Sequence, residues 1–231
     1  MWSRRNVLAT ALGASALFAG ARRARASDRG EAATQEMLDR VEIQELVQRE
    51  RTARDLQQWD VMAAAYHPDA TVEISWFKGT GPEFVAASRK LAERGRLSFH
   101  QMGPTVARVS GNRALANSGG AIHIVGPIGD VEVDVVGHAR LQARAERRTD
   151  RWLLAGFRVL YVQDMVLPLN PSHVPVIDPA EAAKFRRSYR YVSYMLAAIG
   201  LEPSDALPGV DRPETVKALL DGEDAWLLRK T

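Results

Sequence analysis

Four long runs of strand-forming residues between positions 97 and 167 decide what this chain can build. Leu97–Val109, Ala114–Val125, Val131–Glu146 and Trp152–Leu167 are separated only by the turn-like segments Ser110-Gly111-Asn112, Gly126–Asp130 and Arg147–Asp150. All four outrun an ordinary strand, and connections this short admit only antiparallel neighbours. In Val131–Glu146 the positions Val133, Val135, Ala139, Leu141, Ala143 and Ala145 are apolar, and most residues between them are polar. That period of two marks a sheet with one covered face. Trp152–Leu167 is more continuously apolar, as suits a central strand.

Helical patterns come first. Glu36–Gln57 repeats Leu38, Val41, Ile43, Leu46 and Val47 at three- and four-residue spacing. Trp59–Tyr66 reads as a second helix, stopped by His67-Pro68-Asp69. Thr71–Phe77 reads as a strand, Lys78–Pro82 as a turn, and Glu83–Arg94 as a third helix closed by Gly95. Helices followed by long antiparallel strands predict an α+β fold with the helices on the concave face of a curved sheet. No β-α alternation or glycine-rich phosphate loop supports a dinucleotide fold. Beyond Pro168, a proline-rich connection precedes a Tyr-rich helix over Pro179–Gly200 with a Phe185, Tyr189, Val192, Leu196, Ile199 stripe. A turn at Leu207-Pro208-Gly209 and a last helix over Pro213–Leu228 follow.

The first 26 residues read as an address. Ser3-Arg4-Arg5-Asn6-Val7-Leu8 is a twin-arginine pattern, Val7–Ala21 is apolar, and Ala24-Arg25-Ala26 offers small residues for cleavage before Ser27. The apolar run is too short to span a bilayer comfortably. The expected division is a Tat-type signal over 1–26, a domain over 27–168 and a helical extension over 169–231. A periplasmic or secreted location and contact with the Tat export machinery follow. Without residues 1–26 the formal net charge falls from +3 to −2. The mature chain therefore has no general attraction to nucleic acid, and no later segment has the length of a membrane span. There is no cysteine, which excludes disulfides, a thiol nucleophile and thiolate metal sites. The five histidines lack metal-ligand spacing, so no metal site is expected.

Three motifs resemble the SnoaL-like family of the nuclear transport factor 2-like superfamily, in particular its scytalone dehydratase-like branch. They are Asp55-Leu56-Gln57-Gln58-Trp59-Asp60 leading to Tyr66-His67-Pro68-Asp69-Ala70, then His100-Gln101-Met102-Gly103-Pro104 with Ser110-Gly111-Asn112-Arg113-Ala114, and Val159-Leu160-Tyr161-Val162-Gln163-Asp164. The resemblance covers about residues 36–228. It implies a cone-shaped fold and cofactor-independent chemistry in an internal pocket, with Asp55 and His100 as an acid–base dyad. Assembly as a homodimer or homotrimer is expected by analogy. Relatives often place Tyr near the helix Asp, where this chain has Glu50, Arg51 and Arg54, and the early strand carries Ile74, Ser75 and Trp76 where some relatives have another Tyr. A second catalytic His of the branch falls near His123, on the pocket side only if Gly119-Gly120 forms a bulge. Tyr66, Tyr161 and His123 are the candidate proton donors; Tyr66, Trp76, Phe99, Met102 and Phe157 are the expected pocket.

A neutral imidazole oriented by a carboxylate can take a proton beside a carbonyl or a leaving group. The expectation is an exported lyase or isomerase acting on an apolar cyclic molecule. A periplasmic binding protein for a hydrophobic small molecule and an association module stay open. The plainer alternatives are that Asp55 hydrogen-bonds the turn at Gln58 and that His100 is an ordinary strand histidine.

Overall fold

The computed structural model describes residues 5–95 and 97–229, with the side chains of 5–29 and Leu97 excepted. The twin-arginine pattern and the cleavage segment of the expected signal therefore lie outside the residues whose side chains are described. Contacts divide the chain into two compact units, Met1–Val41 and Glu42–Thr231. Helix α1, Arg5–Asp55, runs through both. In the first unit Leu38 and Val41, which the periodicity placed on a packing stripe, are exposed. No helix among the described residues is long and apolar enough to cross a membrane.

The second unit is α+β. After α2, Trp59–Ala63, come β1, Tyr66–Ile74, and β2, Phe77–Thr80. Helix α3, Gly81–Glu93, is closed at its start by a capping box between Thr80 and Glu83. Four long strands follow: β3, Leu97–Ser110; β4, Arg113–Ile128; β5, Val131–Arg147; and β6, Trp152–Pro168. They form a curved, unclosed sheet of order β2-β1-β6-β5-β4-β3. The concave face carries the core: Ile43, Leu46 and Val47 of α1 and Phe84 of α3 are buried with Ala116, Leu141, Phe157 and Val159 of the sheet.

Several elements differ from the sequence reading. Tyr66–Asp69 is strand rather than helix end, because β1 pairs with β6. The ladder breaks between Tyr66 and Thr71, and that gap houses Pro68, which has no amide to offer. The pairing is parallel, the only such pair in the sheet, since α2 and the turn after it bring β1 in from the helical side. The expected turn at Lys78–Pro82 is the short edge strand β2, paired to β1 through a hairpin at Ser75-Trp76. The bulge lies in β3 at Gly103-Pro104, not at Gly119-Gly120: Met102 pairs with Gly120 and Thr105 with Ser118, while the β4–β5 ladder runs without a shift. A Cβ on Gly120 would stand 2.7 Å from the Gln101 carbonyl oxygen. Gly120 is therefore what lets β4 close on β3 beside the bulge.

The Tyr-rich segment is not one helix. It divides into α4, Pro179–Ala182, a 3-10 turn, Arg187–Tyr189, and α5, Arg190–Ala198. Arg186 stands extended between them. Its buried guanidinium reaches Asp211 at 2.7 Å and the carbonyls of Asp205 and Leu207, while Ser188 also bonds Asp211. Those tertiary bonds outweigh helix continuation. The strand edge of Tyr161 is completed by the same region: its amide donates to Pro208 and its carbonyl accepts from Val210. Gly137 on β5 lets α5 settle against the sheet, since a Cβ there would lie 2.9 Å from Val192. Helix α6, Pro213–Leu227, follows.

Gly120→Ala should destabilise the fold by about 1–3 kcal/mol, because a backbone oxygen cannot step aside. Urea unfolding measures this, and a midpoint equal to that of the parent chain would contradict it.

Candidate acid–base site

The buried stripe of α1 changes character along its length. Ile43, Leu46 and Val47 are followed on the same face by Glu50, Arg51, Arg54 and Asp55, one helical turn further on. The helix stops at Asp55 because Gln57 takes a left-handed conformation, φ 57°, and the amide of Gln58 returns to the carbonyl of Ala53 at 2.7 Å. Backbone bonds close the turn, and the Asp55 carboxylate points to β3.

There it binds one residue twice. Oδ2 accepts the backbone amide of His100 at 2.7 Å, and Oδ1 meets ring Nδ1 at 2.8 Å. Arg54 completes the group: Nη1 donates to Asp55 Oδ1 at 3.2 Å, and Nη2 to the Ser98 hydroxyl at 2.9 Å. Burial opposes the charge on Asp55, but the hydrogen bonds of His100 and the nearby positive charge of Arg54 outweigh it and hold the carboxyl below its usual range. An ionised Asp55 accepts the Nδ1 proton and so fixes the tautomer of His100. The imidazole is pushed down to about 4, above all by burial, then by the charges of Arg54 and Arg51; its hydrogen bond to Asp55 pulls the other way. At neutral pH the ring is neutral with a basic Nε2. That atom makes no hydrogen bond among the described residues, and His100 lines a cavity.

The cavity wall is mostly apolar. Trp76, Phe84 and Phe157 meet Ile122 and Ile124 of β4, and Val192, Met195, Leu196 and Ile199 of α5 complete the enclosure. The cavity volume is about 60 Å³, room for a few waters. Tyr161 also lines it. Its hydroxyl oxygen accepts the Ser75 amide at 3.0 Å, and burial raises its pKa to about 12, so the phenol keeps its proton.

The structure thus brings together Asp55, His100, Tyr161, Trp76 and Phe157. It does not bring in the rest of the expected set. His123 and Phe99 lie on the opposite sheet face, stacked with ring centroids 4.3 Å apart, and His123 pairs with Asp134 at 2.7 Å. With no bulge in β4, alternation puts Ile122 and Ile124 inside and His123 outside. Tyr66 is buried behind the wall, donating to Glu50 at 2.9 Å, and Met102 packs on the core beside the bulge. His67, expected in a turn, is buried in β1 against the Glu146 carbonyl. Asp164 accepts the Val192 amide at 2.7 Å and so caps α5; burial raises its carboxyl to about 6. Arg51 and Arg54 both line the cavity and were not singled out as site residues. The signal for them was charge persisting on the buried stripe of α1. No cluster of metal-binding side chains occurs among the described residues.

The sequence profile of the SnoaL-like domain matches residues 35–158, more than half of the chain. The chain belongs to the SnoaL-like domain family. Pea pathogenicity protein 2 of Fusarium vanettenii is 26% identical over 84% of this chain and 85% of its own length. An uncharacterized protein of Emericella nidulans is 24% identical over 75% of this chain and 76% of its own. Among solved structures, a protein of unknown function from Mycobacterium tuberculosis matches 72% of this chain and 91% of its own at TM-score 0.49 and 22% identity. A type 2 hexachlorocyclohexane dehydrochlorinase matches 66% of this SnoaL-like chain and 98% of its own, at TM-score 0.49 and 16% identity.

Replacing Arg54 by Gln removes a positive charge beside the ring, so the imidazolium becomes easier to form. The His100 pKa should rise above about 4 in an NMR titration of the ring protons; an unmoved titration would refute the electrostatic role given to Arg54.

Proposed function

We propose that this SnoaL-like protein is a cofactor-independent lyase or isomerase acting on an apolar cyclic small molecule, exported through the twin-arginine route. One observation carries the catalytic reading: His100 is bound through Nδ1 to Asp55 at 2.8 Å, while Nε2 is unpaired at an apolar cavity. His123 also leaves Nε2 unbonded, but it lies on the other sheet face, away from this cavity.

In this reading Nε2 of His100 takes a proton from substrate carbon. Asp55 holds the ring and stabilises the imidazolium that forms. The imidazolium then returns its proton, either to another carbon, which completes an isomerisation, or to a departing oxygen, which completes an elimination as water. Tyr161, still protonated at neutral pH, is suited to donate a hydrogen bond to that oxygen. The apolar wall selects the body of the substrate. The cavity holds only a few waters, so a ring enters only as side chains of the wall give way.

A second reading uses the same pocket to hold a hydrophobic ligand without turnover. The small, apolar, helix-covered cavity favours it. The two separate on a screen of cyclic hydroxy-carbonyl compounds with the mature chain. For an enzyme, His100→Ala should lower kcat/KM by about 10²–10⁴. Activity should fall only as pH drops through about 4, where the free base becomes protonated. Undiminished turnover by His100→Ala would remove the dyad from the chemistry, and tight binding with no turnover would favour the carrier. For export, Arg4→Lys with Arg5→Lys should abolish appearance of a mature chain beginning at Ser27. Secretion of that double variant at the normal level would contradict the twin-arginine route.

A further inference from the structure

A carbon-bound proton leaves readily only where the electron pair left behind is taken up. On a substrate that sink is an oxygen, and on a protein it is stabilised by a donor facing the same cavity. The polar side chains of the wall are Arg51, Arg54, Ser75, Ser98, His100 and Tyr161. Arg54 is engaged with both Asp55 and Ser98. Arg51 is different. Its Nε and Nη2 form a fork on Glu50, and Nη2 also reaches Tyr66 at 3.5 Å, but Nη1 makes no hydrogen bond among the described residues. The guanidinium lies 4.6 Å from the Phe157 ring centre and 5.5 Å from that of Phe84. Both rings line the cavity. Arg51 stands four residues before Asp55, hence one turn along the same helix face, with the His100 ring beyond.

The ring contacts stabilise the cation, but the ion pair itself gives folding little. A buried ion pair rarely stabilises more than apolar residues of the same volume. Arg51 and Glu50 are each about 1% exposed, which makes the pair costly to desolvate. Burial disfavours the arginine cation, and the charge of Glu50 together with its hydrogen bonds keeps it charged. The result is a fixed cation with one unused edge beside a neutral base.

We propose that Arg51 is a catalytic residue whose free Nη1 edge donates to the substrate oxygen that becomes negative as His100 takes the proton. The proton-transfer half of this rests on the lyase or isomerase reading; the oxygen-binding half does not. The substrate is then an apolar ring bearing a carbonyl next to the reacting C–H. Nε2 of His100 accepts the proton, the C–H electron pair becomes a carbon–carbon double bond, and the carbonyl π pair moves to the oxygen held by Arg51. Return of the pair, with the proton from His100 going to a second carbon or to a β-oxygen that leaves as water, closes the sequence.

The probe is 4-nitrophenol, whose phenolate absorbs in the visible, titrated into the mature protein at a pH below its solution pKa. The parent chain should bind it as phenolate. The double variant Glu50→Gln, Arg51→Met removes the pair without stranding a charge; it should bind at least tenfold more weakly and take up only the neutral phenol. Should thermal melting show that this variant is unfolded, Arg51→Lys replaces it, with several-fold weaker phenolate binding expected because one ammonium cannot hold Glu50 and the oxygen with the guanidinium's separate edges. Parental affinity and spectrum in the folded double variant, or in Arg51→Lys, would overturn the proposal while leaving the dyad untouched. Absence of bound phenolate in the parent chain would overturn it too. Phenolate binding that depends on Arg51 in a protein without any turnover would instead retain the anion site and discard the enzyme.

Discussion

The carboxylate of Asp55 holds the end of α1 to β3 and orients the base in the same act. One oxygen takes the backbone amide of His100 and the other its ring nitrogen, at 2.7 and 2.8 Å. The helix axis, the strand and the imidazole plane are thereby tied to one rigid group. Arg54 and Ser98 brace that group from the side, so the proton-bearing nitrogen of His100 is set by fixed charges rather than by solvent. The rest of the cavity is arranged around the nitrogen left over.

Charge is concentrated on this one helix end. Glu50, Arg51, Arg54 and Asp55 are two acids and two bases in a largely apolar interior, so their formal charges cancel. A neutral cluster with internal hydrogen bonds is tolerable where a single ion would not be. Tyr66 shares in it from the far side through Glu50. Burial and the two arginines disfavour an imidazolium, which is why His100 rests as a base at neutral pH.

The C-terminal region gives the cavity its closed form. Helix α5 contributes Val192, Met195, Leu196 and Ile199, and it is held by contacts of three kinds: the Asp164 cap, the approach allowed by Gly137, and the buried Arg186–Asp211 pair in the segment before it. Tyr161 links this region to the site, since its backbone pairs with Pro208 and Val210 while its phenol meets Ser75 across the cavity wall. The outer sheet face repeats the theme of a paired histidine, His123 with Asp134, but against the exposed Phe99 and away from the cavity.

Much of this was determined locally and was legible in the sequence. Alternation over 131–146 and the short turns around it specify the four long strands, because a period-two pattern has one way to cover its apolar face. The joint motifs around Asp55 and His100 led to the family and to the pair that the structure joins. Other features were decided only by tertiary packing. Whether His123 faces in or out depends on which strand carries the bulge, and only the closeness of Gly120 to Gln101 in the paired strands settles that. The break of the Tyr-rich helix depends on Asp211, distant along the chain from Arg186. The role proposed for Arg51 depends on which of its nitrogens Glu50 occupies and which one is left over. A sequence states residue types and local periods, whereas a free valence beside a base is a property of side chains from distant segments meeting in three dimensions.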